Sequence, residues 1–91
     1  MQPSGLNIPS GCITPGEQRV LQLAAGGASN DEIARALGIS RSTVKNHLWR
    51  IGRAYGTSGR VATVIHGLAQ GDIDWTLARR EVEDRRVAVL D

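Results

Sequence analysis

The sequence predicts an all-α fold of four short helices followed by a charged fifth. Three observations carry that prediction. Two apolar segments with helical spacing each open on a capping box, Thr14 with Glu17 and Ser29 with Glu32. Glycines stand where these segments and the later ones must stop: Gly26-Gly27, Gly38, Gly56 and Gly71. A length of 91 residues with 41% apolar side chains suffices for a compact core of three or four helices, and not for a large one.

Residues 1–12 mix two prolines, two glycines and two serines without a period and read as a flexible leader. The pattern changes at Ile13. Thr14 caps a first helix, Pro15 takes the first helical position where its missing N–H costs nothing, and Ile13 can staple the start. That helix runs to about Ala25 and buries Val20, Leu21 and Ala24. A second helix begins near Asn30, carries Ile33, Ala34 and Leu37 on one face, and cannot run far past Leu37. Gly38 there permits a sharp turn and Ser40 offers a fresh N-cap. Two helices separated by about three residues meet with the spacing of a helix-turn-helix corner.

The third helix, about Arg41 to Tyr55, gives the most information. At about 100° per residue, Val44, Leu48, Ile51 and Tyr55 share a narrow buried arc, while Ser42, Asn46 and Arg53 lie opposite it. Trp49 and Arg50 flank those three, and Lys45 and Arg41 stand at the edge. From Arg41 to Arg60 there are five Lys or Arg and no Asp or Glu, whereas a merely solvated helix face usually mixes signs. Phosphate is the partner this face suits.

Gly56 ends that helix, Ser58 is placed to cap the next, and a fourth helix over about 59–70 spreads Val61, Ala62, Val64, Ile65, Leu68 and Ala69 over a wider arc than one core face needs. The surplus edge, with Gly67 and Gly71 beside Val64, is expected to meet another helix, with Gly71 alternatively a simple C-cap. Residues 72–91 predict a fifth helix from about Asp74, supported by the i,i+4 pairs Arg79–Glu83, Arg80–Asp84 and Glu81–Arg85. Its thin apolar stripe, Trp75, Ala78, Val82 and Val89, is stable only when docked. The organisation expected is therefore a leader at 1–12, a helix-turn-helix domain at 13–71 and a charged helical extension at 72–91.

Charge is unevenly placed. Residues 1–71 hold seven basic and three acidic side chains, and residues 72–91 four basic and six acidic, so the net +2 conceals a basic core and an acidic tail. The single Cys12 has no Cys or His at metal-ligand spacing and allows no internal disulfide, which suits a reducing, intracellular setting without a metal or other cofactor. No apolar run approaches the roughly 20 residues needed to span a bilayer, and nothing near Met1 has the form of a signal peptide, so a cytoplasmic location and no membrane contact are expected. Two histidines and one cysteine without clustered carboxylates supply no catalytic constellation, so an enzyme is not expected. The length also leaves no room for a separate ligand-sensing domain.

Taken together, the pieces ITPGE, SNDEIA, LGIS, TVKNHL and GTSGR resemble the LuxR/GerE-type helix-turn-helix domain of bacterial transcription regulators, over residues 13 to about 71. The resemblance implies a four-helix domain whose third helix enters the DNA major groove and whose fourth commonly forms a dimer. It places the groove-facing positions on Lys45, Asn46 and Trp49. Lys45 then contacts phosphate or a guanine edge, Asn46 pairs with adenine, Arg50 and Arg53 either hold the backbone or are solvated surface, and Arg41 and Arg60 are further DNA-binding candidates. Ser42 and Thr43 either bind phosphate through the helix N-terminus or merely cap it. His47, between groove face and core stripe, is either a packed structural histidine or a base contact. A dimer surface is expected around Val64, Gly67, Leu68, Gly71 and Trp75.

Three positions depart from the family pattern. Trp49 stands where a polar or basic side chain is usual, and serves either the groove or the tail. Ala62 replaces a common acidic residue and Gly16 a common arginine, each removing a potential ion pair. The expected function is a sequence-specific regulator that binds double-stranded DNA as a homodimer on an inverted repeat. The alternative is an interaction protein that binds another component of the transcription machinery through the extension, with DNA binding secondary or restrained by the tail.

Overall fold

The computed structural model describes residues 11–77. They form four helices, α1 (Pro15–Ala25), α2 (Asn30–Leu37), α3 (Arg41–Tyr55) and α4 (Arg60–Gln70), with helical backbone again at 75–77. The fifth helix expected beyond that point lies outside the described residues.

Local chemistry sets the boundaries. The Thr14 hydroxyl accepts from the Glu17 amide at 3.1 Å, and the Glu17 carboxylate accepts from the Thr14 amide at 2.9 Å. Ser29 and Glu32 repeat the exchange at 3.2 and 2.8 Å. Both capping boxes read from the sequence are thus formed, and each satisfies two helix-end donors. Gly38 ends α2 with φ of 68°, a left-handed conformation that a side chain would strain. Two residues later the Ser40 hydroxyl accepts from the Thr43 amide at 3.1 Å and opens α3. The corner between α2 and α3 therefore spans residues 38–40. α4 starts differently from the expectation: Gly59, with φ of 91°, is its N-cap, and no side chain, Ser58 included, caps it.

Two apolar clusters make the core. One joins Val20, Ala24 and Ala28 to Ile33, Ala34 and Val44, and so fixes α2 and α3 against α1. The other joins Leu21, Ile51, Tyr55 and Ile73. Leu48 and Val64 pack on both. Leu21, Ile33, Ile51, Val20 and Val44 are fully buried, and each contributes about 1.5–3 kcal/mol relative to exposure. The α3 stripe deduced from helical geometry, Val44, Leu48, Ile51 and Tyr55, is the inward face, with Leu48 half-buried and the other three buried.

The expectation for α4 needs correction. Gly67 does not face outward for a partner helix. It is buried, and a Cβ built there would lie 2.7 Å from Leu21 Cδ2 and 3.3 Å from Ile73 Cγ1. Gly71 is the C-cap, with φ of 82°. The missing side chain at Gly67 lets α4 lie close on α1, and Thr63 turns inward with it, its hydroxyl donating to the Gly59 carbonyl at 2.7 Å and lying 2.8 Å from the Thr57 hydroxyl. That rotation carries the surplus apolar edge to the other side of the helix, where Val61 is 72% and Ile65 59% exposed.

Residues 72–74 belong to the packed unit, so the boundary expected at Gly71 cuts through contacts. Asp72 accepts from the Tyr55 hydroxyl at 2.6 Å. Ile73 is buried over Gly67 and Leu21. Gln22 clasps the backbone of Asp74, donating to its carbonyl at 3.0 Å and accepting from its amide at 2.9 Å, while Gln18 donates to the Asp72 carbonyl at 2.8 Å. The Asp74 carboxylate then accepts from the Thr76 amide at 2.6 Å, in the manner of a helix N-cap.

Candidate nucleic-acid interface

With α3 held by its inward stripe, the opposite face is open. Ser42, Lys45, Asn46, Trp49, Arg50 and Arg53 are exposed, and Thr43 and His47 are half-buried. Among the described residues Lys45 and Asn46 enter no hydrogen bond or ion pair, so their donors point to solvent without an internal competitor. The helix carries no acidic side chain.

Three of the arginines around this face are tethered. Arg41 pairs with Asp31 at 3.1 Å, which fixes the start of α3 to the start of α2. Arg50 lies 3.5 Å from the buried carboxylate of Glu17. Arg60 donates to the Asn30 side chain at 2.8 Å and to the Ala28 carbonyl at 2.5 Å, a clamp between the start of α4 and the entry to α2. Arg50 was read from the sequence as a backbone-holding residue and Arg41 and Arg60 as DNA contacts; the fold uses each of the three as an internal brace. Arg41, Lys45 and Arg60 nevertheless line one open groove with Ser29, Asn30, Asp31 and Ser42, so positive charge from α3 and α4 meets there beside the single carboxylate of Asp31.

His47 occupies the expected intermediate place. Its Nδ1 is buried without a hydrogen-bond partner, and the ring borders a small cleft formed with Gly16, Arg19, Val20, Leu37 and Ile39. Thr43 closes the cap by approaching the Ser40 hydroxyl at 2.9 Å. Trp49 is 63% exposed, with the Arg53 guanidinium 5.0 Å from its ring centroid.

Sequence reasoning missed the Tyr55–Asp72 bond. The signal was present: a tyrosine on a buried stripe needs a partner for its hydroxyl. Burial, and then the hydrogen bond and charge of Asp72, push the Tyr55 hydroxyl well above its ordinary range. The ring also lies 4.3 Å from that of His66.

Three core helices, a sharp glycine corner and an acid-free outward helix define a helix-turn-helix domain. The particular family follows from comparison: the family model described as bacterial regulatory proteins, luxR family (GerE) matches residues 12–67, and the chain belongs to that family. It is 40% identical over 55 residues to the CsgBAC operon transcriptional regulatory protein of Escherichia coli K12, covering 60% of this chain and 26% of that protein. It is 36% identical over 61 residues to a Mycobacterium bovis protein named as an HTH-type transcriptional regulator, covering 67% of this chain and 7% of that protein. The chain thus spans only a small part of these relatives. A solved structure of the transcription factor GerE superposes with a TM-score of 0.67 at 30% identity, covering 69% of this chain and 94% of that one. The chain is a helix-turn-helix domain of the LuxR/GerE type.

Proposed function

We propose that the chain reads a specific double-stranded DNA sequence through α3, with Lys45, Asn46 and Trp49 in the major groove and Ser42, Thr43, Arg41, Arg50, Arg53 and Arg60 along the sugar-phosphate backbone. The observation that carries this reading is the free state of Lys45 and Asn46 on an exposed helix without acidic residues. Asn46 offers the paired donor and acceptor that adenine matches, and Lys45 a donor for guanine or phosphate. The braced arginines supply sequence-independent attraction and register.

A homodimer on an inverted repeat extends the reading. The exposed Val61 and Ile65 lie one turn apart on α4, and a second copy would cover them, whereas Leu68 is half-buried against the second core cluster. Half-sites would then lie about 34 Å apart, one helical turn of DNA. Selection of bound DNA from a random pool, followed by sedimentation of the complex, tests both parts. The expected result is a two-fold symmetric consensus bound by two chains. An asymmetric consensus bound by one chain removes the dimer, and the absence of any consensus removes sequence-specific reading.

Trp75 and Leu77, 60% and 50% exposed at the root of the extension, favour a second reading in which the extension binds another transcription component. Removing residues 78–91 and titrating the selected DNA separates the roles the extension could play. Tighter binding indicates that it restrains the DNA face, whereas unchanged binding leaves it to a protein partner.

A further inference from the structure

We propose that Trp49 is a specificity-determining residue that reads the C5-methyl group of a thymine; this rests on the reading of DNA by α3 and adds a base to it. At about 100° per residue, Trp49 falls between Lys45 and Asn46 on the outward face. The indole is exposed rather than packed, and it borders an open groove that runs past Gly52 and Thr57 toward Arg60. Arg53, one turn further on, lies with its guanidinium 5.0 Å from the ring centroid. That cation–π contact holds the ring in one orientation before any ligand arrives, which lowers the ordering cost of binding.

An indole in this place has no hydrogen-bond code to offer beyond one N–H donor. What it presents is an apolar surface. In unmodified DNA the major groove displays a single apolar group, the thymine methyl, and the polar edges of the other bases would be desolvated against the ring without compensation. The three side chains then divide the work: Lys45 for guanine or phosphate, Asn46 for adenine and Trp49 for thymine. Asn46 and Trp49 are separated by about 4.5 Å along the helix axis, so the thymine lies one or two base-pair steps from the adenine.

The test is a methyl-deletion scan. Each thymine of the selected DNA is replaced in turn by deoxyuridine, which removes the methyl and keeps the base pairing, and affinity is measured by fluorescence anisotropy for the native chain and for Trp49→Ala. One position in each half-site is expected to lose about four-fold in affinity with the native chain, the worth of one buried methyl-sized group. The same replacement is expected to change nothing with Trp49→Ala. Circular dichroism of that variant checks that the exposed site leaves the fold intact. A flat scan, or equal sensitivity in both proteins, overturns the inference while selective binding itself still stands. Failure to select any DNA overturns this inference and the reading on which it rests.

Discussion

Tyr55 shows how one side chain serves two purposes. Its ring fills the second core cluster and its hydroxyl donates to Asp72 at 2.6 Å, tying the end of α3 to the segment after α4. The fold favours the neutral phenol, because burial and the Asp72 carboxylate both oppose its ionisation. Its contribution to stability is therefore fully present below pH of about 10, the ordinary tyrosine value, and is lost as pH rises from there toward the raised value in the folded chain. Thermal unfolding followed between pH 8 and pH 12 should show the native chain losing more stability above pH of about 10 than Tyr55→Phe does. At neutral pH the same variant should be less stable by about 1.5–3 kcal/mol, the worth of a hydrogen bond to a charged group. Equal alkaline slopes for the two proteins would contradict this role.

At the scale of elements, α3 and its surroundings were the most legible part of the sequence. Both capping boxes, the glycine corner and the inward stripe of α3 are local features, and local hydrogen bonding and periodicity determine them. The rotation of α4 was not legible. Helical geometry gave an apolar arc wider than the core, but which part turned inward depended on Leu21 and Ile73, distant in sequence, and on Gly67 as the place where α4 meets them. The polar clasp of Gln18 and Gln22 on the backbone of residues 72–74 was hidden for the same reason. It has a consequence for shortened forms of the protein. A chain ending at Leu77 keeps Asp72, Ile73 and the clasp, whereas one ending at Gly71 uncovers the second cluster. Removal of the buried Ile73 side chain alone should cost about 2–5 kcal/mol, so the shorter form should unfold at markedly lower denaturant concentration. Equal midpoints for the two forms would show that the segment adds nothing.

At the scale of the whole molecule, five of the seven basic side chains of residues 1–71 lie between Arg41 and Arg60, and Arg41, Lys45 and Arg60 line one groove. The sequence disclosed the charge and the outward side chains of α3. It did not disclose that Arg41, Arg50 and Arg60 each brace the fold through Asp31, Glu17, and Asn30 with Ala28, because those partners are set by the crossing of helices. In the proposed reading the braced cations position the domain on DNA and the free side chains discriminate among bases. No helix among the described residues is long and apolar enough to cross a membrane.

The central claim is that the free side chains Lys45 and Asn46 carry sequence discrimination, and one titration tests it most directly. Native chain and the double variant Lys45→Ala, Asn46→Ala are titrated against the selected DNA and against a scrambled duplex at the same salt concentration. Loss of two base contacts, at about 1–3 kcal/mol each, should weaken binding to the selected DNA by at least about 30-fold. Binding to the scrambled duplex should fall much less, since it rests on phosphate contacts. If the double variant binds the selected DNA as tightly as the native chain does, α3 does not read sequence in the way described.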